Sequence, residues 1–297
     1  SAAQRPVLCL ISGGGSALLP APIVGISLQD KIDLNALLLA SGANIEVMNL
    51  IRQQLSLLKG GGMLSYASPS PVTSLILSDV IGDDLRVVAS GLTVSPIGTR
   101  LQACSELKAL GLWGQTNAAV KTALERPEEI IDLPVTKNIL IGSNVLSLVA
   151  MGKEIPEATI HKMPLVGDVS QAAARVAAAG PGIHLFGGET TVRLTGTGRG
   201  GRNQELALRV ALLAEYQNWQ GRWLYLQAGT DGRDGPTDAA GGVVCEASVS
   251  VMSSVGIDPN QLLANNDAYS ALQAAKALLI TGGTGTNVAD LGVLIRA

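Results

Sequence analysis

Histidine, cysteine and charge are all scarce in this chain of 297 residues, and each shortage removes a class of function. With only His161 and His184, a His/Cys metal centre is disfavoured and a Ser-His-Asp triad has little to draw on. Cys9, Cys104 and Cys245 stand far apart, two of them in or beside apolar runs. A disulfide framework is therefore disfavoured, and a reducing, cytoplasmic compartment is expected. Charged residues are 15% of the chain and the net charge is −3, with no run of Lys or Arg, so the basic footprint of a nucleic-acid binder is missing. No apolar stretch reaches the roughly 20 residues of a membrane helix, no signal peptide is read at the start, and no repeat of fixed period is visible. These absences leave small molecules as the expected partners, with a homodimer among the open oligomeric states.

What is abundant is apolar residues, 47%, and glycine, 35 residues that cluster. The length suffices for two domains with proper cores, and the composition predicts a compact α/β protein. The first strand, Val7 to Ile11, runs into Ser12, Gly13, Gly14, Gly15 and Ser16. An apolar strand that ends in a small-residue turn and a helix start can deliver backbone N–H groups and hydroxyls to an anion. It can equally be a plain tight turn.

Helices are expected at Leu28–Ser41, Ala43–Leu58, Arg100–Gly111, Asn117–Leu124, from Val145, and at Val169–Ala179. Gly60, Gly61 and Gly62 stop the second of these. Its spacing sets Arg52, Ser56 and Lys59 along one stripe, either a solvated face or an anion-binding one. Strands are expected at Val72–Leu77, Asn138–Ile141 and Ala158–His161, and the recurring strand, small-polar turn and helix suggest a doubly wound sheet. Gly180, Pro181 and Gly182 mark the expected domain boundary. Beyond it come strands at Ile183–Phe186, Trp223–Ala228, Leu279–Gly283 and Val293–Ile295. Helix is expected over Asn203–Glu215 and from Leu262 to Leu278, after the Asn265-Asn266-Asp267 run.

Nearly every glycine cluster follows a strand and carries Ser, Thr, Asn or Asp: SGGGS, SDVIGDD, GSN, GGET, GRGGRNQE, GTDGRDGPTD and TGGTGTN. Together they form a rim of donors with a few acids, suited to a polyanion with a divalent cation. Asp79, Asp83 and Asp84 are candidate Mg²⁺ ligands or merely turn caps, and Glu189 and Asp231 are candidate bases, metal ligands or caps. GRGGRNQE places Arg199 and Arg202 in a glycine frame before a helix, where guanidinium groups and the helix dipole can meet phosphoryl charge. The loose GxGxxG match at 196–201 lacks a preceding strand and an acid about 20 residues on, so a nicotinamide fold is rejected.

At these residues the chain resembles the ATP-dependent glycerate 2-kinases, a family also described as hydroxypyruvate reductases, whose C-terminal half is the MOFRL domain. LISGGGSALLPAP at 10–22, R..LS..KGG at Arg52 to Gly61, LILSDVIGDD at 75–84 and GGET at 187–190 follow that family's order. GRGGRNQELAL at 198–208, TDGRDGPTDAAG at 230–241, NND at 265–267 and TGGTGTNV at 281–288 continue it. The resemblance implies a Rossmann-like parallel-sheet first domain at 1–180 and a smaller α/β MOFRL-type domain at 183–297, with the site in the cleft between them. It implies phosphoryl transfer from Mg-ATP to the 2-hydroxyl of D-glycerate, giving 2-phosphoglycerate. Carried over by position, Ser12, Gly13, Gly14, Gly15, Ser16, Arg52, Lys59, Asn203, Asn266, Thr284, Thr286 and Asn287 are implied to bind substrate or phosphate. Arg202, Glu189 and Asp231 are the implied catalytic residues, and Asp79 and Asp231 the implied Mg²⁺ ligands. The family carries a long segment before the SGGGS strand, including a GKA lysine that is implied to be catalytic, so the first domain is expected to be N-terminally incomplete. Leu92 stands where the family has proline. A reductase of hydroxypyruvate using NAD(P)H and an inactive nucleotide- or acid-binding remnant are the alternatives.

Overall fold

The computed structural model of the chain describes residues 5–127 and 133–297. The chain divides into two compact units, Ser1–Ile141 and Gly142–Ala297. In the first, β1 (Val7–Ser12) and β2 (Val72–Leu77) pair in parallel, from Val7 opposite Val72 to Ser12 opposite Leu77, and β3 (Thr136–Gly142) lies on the other side of β2. The β-branched VTSLIL run favours the extended state. Its partner register sets Ile11 beside Ile76, both buried against Val88, Ala89 and Leu92. This α/β arrangement agrees with the expected class.

A layer of helices completes the unit. α1 (Leu28–Ala40) starts at a capping box in which Ser27 Oγ accepts from the Asp30 N–H and Asp30 accepts from the Ser27 N–H. α2 (Ile45–Gln54) is capped by Asn44, and α3 (Gly62–Ala67) follows a glycine turn. α4 (Arg100–Ala109) and α5 (Ala118–Glu125) bring Leu107, Val120 and Leu124 against Leu38, Ile51 and Leu55. The helix expected to reach Leu58 ends at Gln54, because the following residues bond sideways instead of onward. Ile23 N–H donates to Leu55 O and Leu57 N–H to Ala21 O. Ser56 Oγ then accepts from the N–H groups of Leu58 and Lys59 and turns the chain.

The second unit holds α6 (Asn144–Glu154), β4 (Thr159–Ile160), β5 (Leu165–Asp168), α7 (Val169–Ala177), β6 (Gly182–Thr191) and α8 (Arg202–Tyr216). β7 (Trp223–Gly229), β8 (Gly241–Cys245), α9 (Ser248–Ser254), α10 (Pro259–Ala264), α11 (Ala268–Ala274), β9 (Leu278–Leu279) and β10 (Asp290–Arg296) follow. The strands form one sheet in the order β4-β6-β10-β7-β8-β9, with β5 also on β6. β10 runs antiparallel to both β6 and β7, and β8 antiparallel to β7, so the parallel βα rhythm does not extend here. β4 and β5 pair with β6, and Val169, Ala172 and Val176 of α7 share a core with Leu206 and Val210 of α8. Residues 142–180 therefore belong with the second unit. The division into compact units falls after Ile141, and the second unit is the longer of the two.

Among the described residues, no helix is long and apolar enough to cross a membrane. Cys9, Cys104 and Cys245 are free thiols.

Candidate functional site

In the first unit the SGGGS residues coil into a 3-10 turn, Gly13–Leu18, rather than an open loop. The sequence could not distinguish which of its three glycines must be glycine. A Cβ on Gly13 would lie 1.7 Å from Asp79 Oδ1, whereas Gly14 and Gly15 face open space. Gly13 is therefore the position that lets the end of β2 approach the end of β1.

Gly13, Gly14 and Ser16 line a cavity of about 480 Å³ together with Lys31, Asn35, Arg52 and Lys59. Lys59 Nζ donates to Ser16 Oγ at 3.0 Å, and Ser16 Oγ lies 2.7 Å from Ser90 Oγ. Ser90 sits at φ 61° beside Ala89 at φ 49°, two side-chain-bearing residues in the left-handed region. Such backbone persists only where the surroundings over-determine it. Here Gly60 N–H donates to Ser90 O and Gly61 N–H to Gly91 O, clamping the KGGG turn onto that loop. Arg52 donates to Asn35 Oδ1 and Lys31 to Pro20 O.

None of the three cations forms an ion pair among the described residues, so burial and mutual repulsion both act on them. Burial, then the charges of Lys59 and Arg52, hold Lys31 down to about 8. Burial and Arg52 lower Lys59, and burial lowers Arg52. Asp79 is pushed the other way: burial raises its carboxyl above the usual carboxylate range, against the pull of its own backbone N–H. Its two acidic neighbours do not join it. Asp84 grips Arg86 through a two-pronged contact at 2.7 and 3.0 Å, and Asp83 Oδ1 is buried with no hydrogen-bond partner among the described residues.

In the second unit the sheet register assembles a polar edge. Asp290, the first residue of β10, lies opposite Gly188 of β6 and Gly229 of β7, which brings Glu189 and the Thr230-Asp231 turn to its flanks. Arg202, at the start of α8, donates through Nε and NH2 to the two Asp290 oxygens at 2.6 and 3.0 Å, and through NH1 to Glu189 at 2.9 Å. Burial opposes its charge, but the bonds and charge of Asp290, then Glu189 and Asp234, hold the guanidinium more firmly protonated than usual. Asp290 is itself 2% exposed. Asn144 Nδ2 fixes its backbone by donating to Val288 O and Asp290 O.

The start of α8 is not an open dipole end. Asp234 Oδ1 accepts from the Asn203 N–H at 3.1 Å and Oδ2 from the Gln204 N–H at 2.8 Å, so a buried carboxylate already occupies it. Thr284 N–H donates to Asp231 O, and Val288 N–H to Thr230 Oγ1, so Thr284, Thr286 and Asn287 are exposed beside Asp231. Asn203 and Asn266 are not at that surface. Asn203, 1% exposed, bonds Asp234 and Gln227. Asn266 accepts from the N–H groups of Thr195 and Gly196 and donates to Arg193 O. Both hold loops in place.

Among the described residues, no three His, Cys, Asp or Glu side chains are arranged to hold a metal ion. Lys31, Asn35, Ser90, Asp234 and Asp290 are the residues of the two sites that the sequence did not single out. Lys31 and Asn35 carried one available signal, an i, i+4 polar pair on one face of α1. Asp290 carried another, an acid at the inward register of an apolar strand.

Residues 182–290 match the sequence profile of the MOFRL family, and residues 1–125 that of a domain of unknown function, DUF4147. A glycerate kinase of Macaca fascicularis is 40% identical over 97% of this chain and 88% of its own length. A D-glycerate 2-kinase of Thermotoga maritima is 41% identical over 96% of this chain and 71% of its own. The crystal structure titled glycerate kinase from Thermotoga maritima superposes with a TM-score of 0.89 at 39% identity, covering 98% of this chain and 73% of that one.

Proposed function

The chain belongs to the glycerate kinase family, and from that premise we propose that it transfers the terminal phosphoryl group of ATP to the 2-hydroxyl of D-glycerate. One observation carries the substrate side of this assignment: Lys31, Arg52 and Lys59 converge on one cavity without a counter-ion among the described residues. A small carboxylic acid supplies part of the missing charge, with Ser16 Oγ as a further partner.

In the reaction the 2-hydroxyl oxygen attacks the γ-phosphorus. A new O–P bond forms while the bond to the β–γ bridging oxygen breaks, ADP departs, and the hydroxyl proton passes to a carboxylate. Asp79, packed against the cavity-lining Gly13, is the carboxylate of the first unit nearest that role, and burial raises its carboxyl above the usual carboxylate range. Arg202 suits the stabilisation of phosphoryl charge. Three of its five N–H groups are held by Asp290 and Glu189, which fixes the plane of the guanidinium and leaves two donors. Glu189, by that contact, orients Arg202.

Magnesium fits the second unit only as a companion of the nucleotide. Asp231 takes one backbone N–H, from Arg233, and leaves a carboxylate oxygen without a protein donor among the described residues. One carboxylate plus phosphate oxygens is the usual way such an ion is held, and when bound it neutralises phosphate charge. Thr284, Thr286 and Asn287 are proposed to line the nucleotide side.

The test is direct. Purified protein with Mg²⁺ and ATP should release ADP only on addition of D-glycerate, with the new phosphate at C2 by phosphorus NMR. ADP release that ignores glycerate, or none at all, would refute the assignment.

A further inference from the structure

The cavity of the first unit carries more positive charge than one carboxylate can neutralise. Lys31 on α1, Arg52 on α2 and Lys59 on the turn after it all line the cavity, and each has a lowered pKa in which burial is the largest cause. The surrounding carboxylates are committed elsewhere. Asp30 accepts from Ser27 and Asn117, Asp33 from Gln29, and Asp84 from Arg86, while Asp79 lies against Gly13 and outside the cavity lining. A singly charged acid would leave two cations repelling each other at partly desolvated positions. A doubly charged group with several acceptor oxygens would not.

We propose that Lys31 is a third anion-binding residue of this cavity. With Arg52 and Lys59 it makes the cavity select a doubly charged phosphoryl-type group over a single carboxylate, so that a phosphorylated hydroxy acid is held in preference to the unphosphorylated one. Resting on the kinase assignment above, this predicts product retention: the phosphorylated acid competes with glycerate for the same three cations.

Calorimetric titration with sulfate tests the charge selection without any turnover, because sulfate stays doubly charged across the neutral and mildly alkaline range. At pH about 7, Lys31→Met should weaken sulfate binding about tenfold, the loss of one favourable charge contact, and glycerate binding much less. Lys31→Arg should restore sulfate binding. In the wild type sulfate affinity should fall as pH rises through about 8, where Lys31 loses its proton. That fall should vanish in Lys31→Arg, whose guanidinium stays charged. Unchanged sulfate affinity in Lys31→Met, equal weakening of sulfate and glycerate, or a pH fall that persists in Lys31→Arg would each overturn the proposal. A protein that binds sulfate in this way but does not phosphorylate glycerate refutes the kinase assignment and leaves the charge selection standing.

Discussion

Arg202 shows how a residue that is legible in the sequence acquires its meaning from one that is not. The GRGGRNQE run announces an arginine set for phosphoryl charge, but the carboxylate that orients it is Asp290, 88 residues away and brought there by the β6-β10-β7 register. Arg202→Lys keeps a positive charge but cannot span both Asp290 oxygens, so kcat should fall by about a hundredfold or more with a smaller change in the glycerate KM. A change confined to KM would make Arg202 a ground-state binding residue instead. Asp290→Asn keeps the shape and removes the charge. It should lower kcat by a similar route and cost about 1–3 kcal/mol in urea unfolding, less than for a wholly buried pair because Arg202 is one-third exposed. Stability and kcat both at wild-type values would mean Asp290 does not hold the guanidinium. Asn203 and Asn266 mark the opposite limit of the sequence. An amide in a loop motif reads the same whether it meets a ligand or a neighbouring N–H, and only burial separates the two.

At the scale of elements, Val72–Leu77 was legible because a β-branched run pairing in parallel is buried in a simple pattern. β8 was not. Its GGVVC begins with two glycines, a residue depleted in strands, yet a Cβ on Gly241 would lie 1.9 Å from Gln227 O, so close strand contact requires glycine there. α10 and α11 were read as parts of one longer helix, and the break falls at Asn266, φ 55°. The α8 N-terminus shows the same limit: its glycine frame predicts an anion site, and the anion is the chain's own Asp234. Burial raises the Asp234 carboxyl, opposed by the N–H groups of Gln204 and Asn203, and the charge of Asp290 raises it further. A carboxyl held above its unfolded value binds its proton more tightly in the folded protein. Stability should therefore fall as pH climbs from the unfolded value near 4 to the folded one, and level off beyond it. Asp234→Asn should flatten that slope. Asp234→Ala should cost about 1–2 kcal/mol at pH 7 by stripping the cap from α8. A slope that is the same in wild type and Asp234→Asn would place the titration on another group.

At the scale of the whole molecule, charge distribution opposes net charge. The chain carries −3 overall with a sequence pI near 5.5, yet its first unit concentrates on one cavity three cations that form no ion pair among the described residues. A globally acidic protein repels anionic substrates at long range, so capture depends on the local field of that cavity. Salt acts on that field before it acts on the fold. The screening length drops from about 10 Å at 0.1 M to about 3 Å at 1 M, and chloride also competes for the three cations. Raising ionic strength from about 0.05 to 0.5 M should therefore lift the glycerate KM several-fold while kcat holds within about twofold, since the phosphoryl-side contacts of Arg202 are internally paired. At matched ionic strength sulfate should inhibit more strongly than chloride and competitively with glycerate, because the dianion offsets two of the three positive charges where chloride offsets one. A KM indifferent to salt, or equal inhibition by the two anions, would mean that the cavity is not where the acid binds. The glycerate would then have to be sought at the Glu189–Arg202–Asp231 edge of the second sheet.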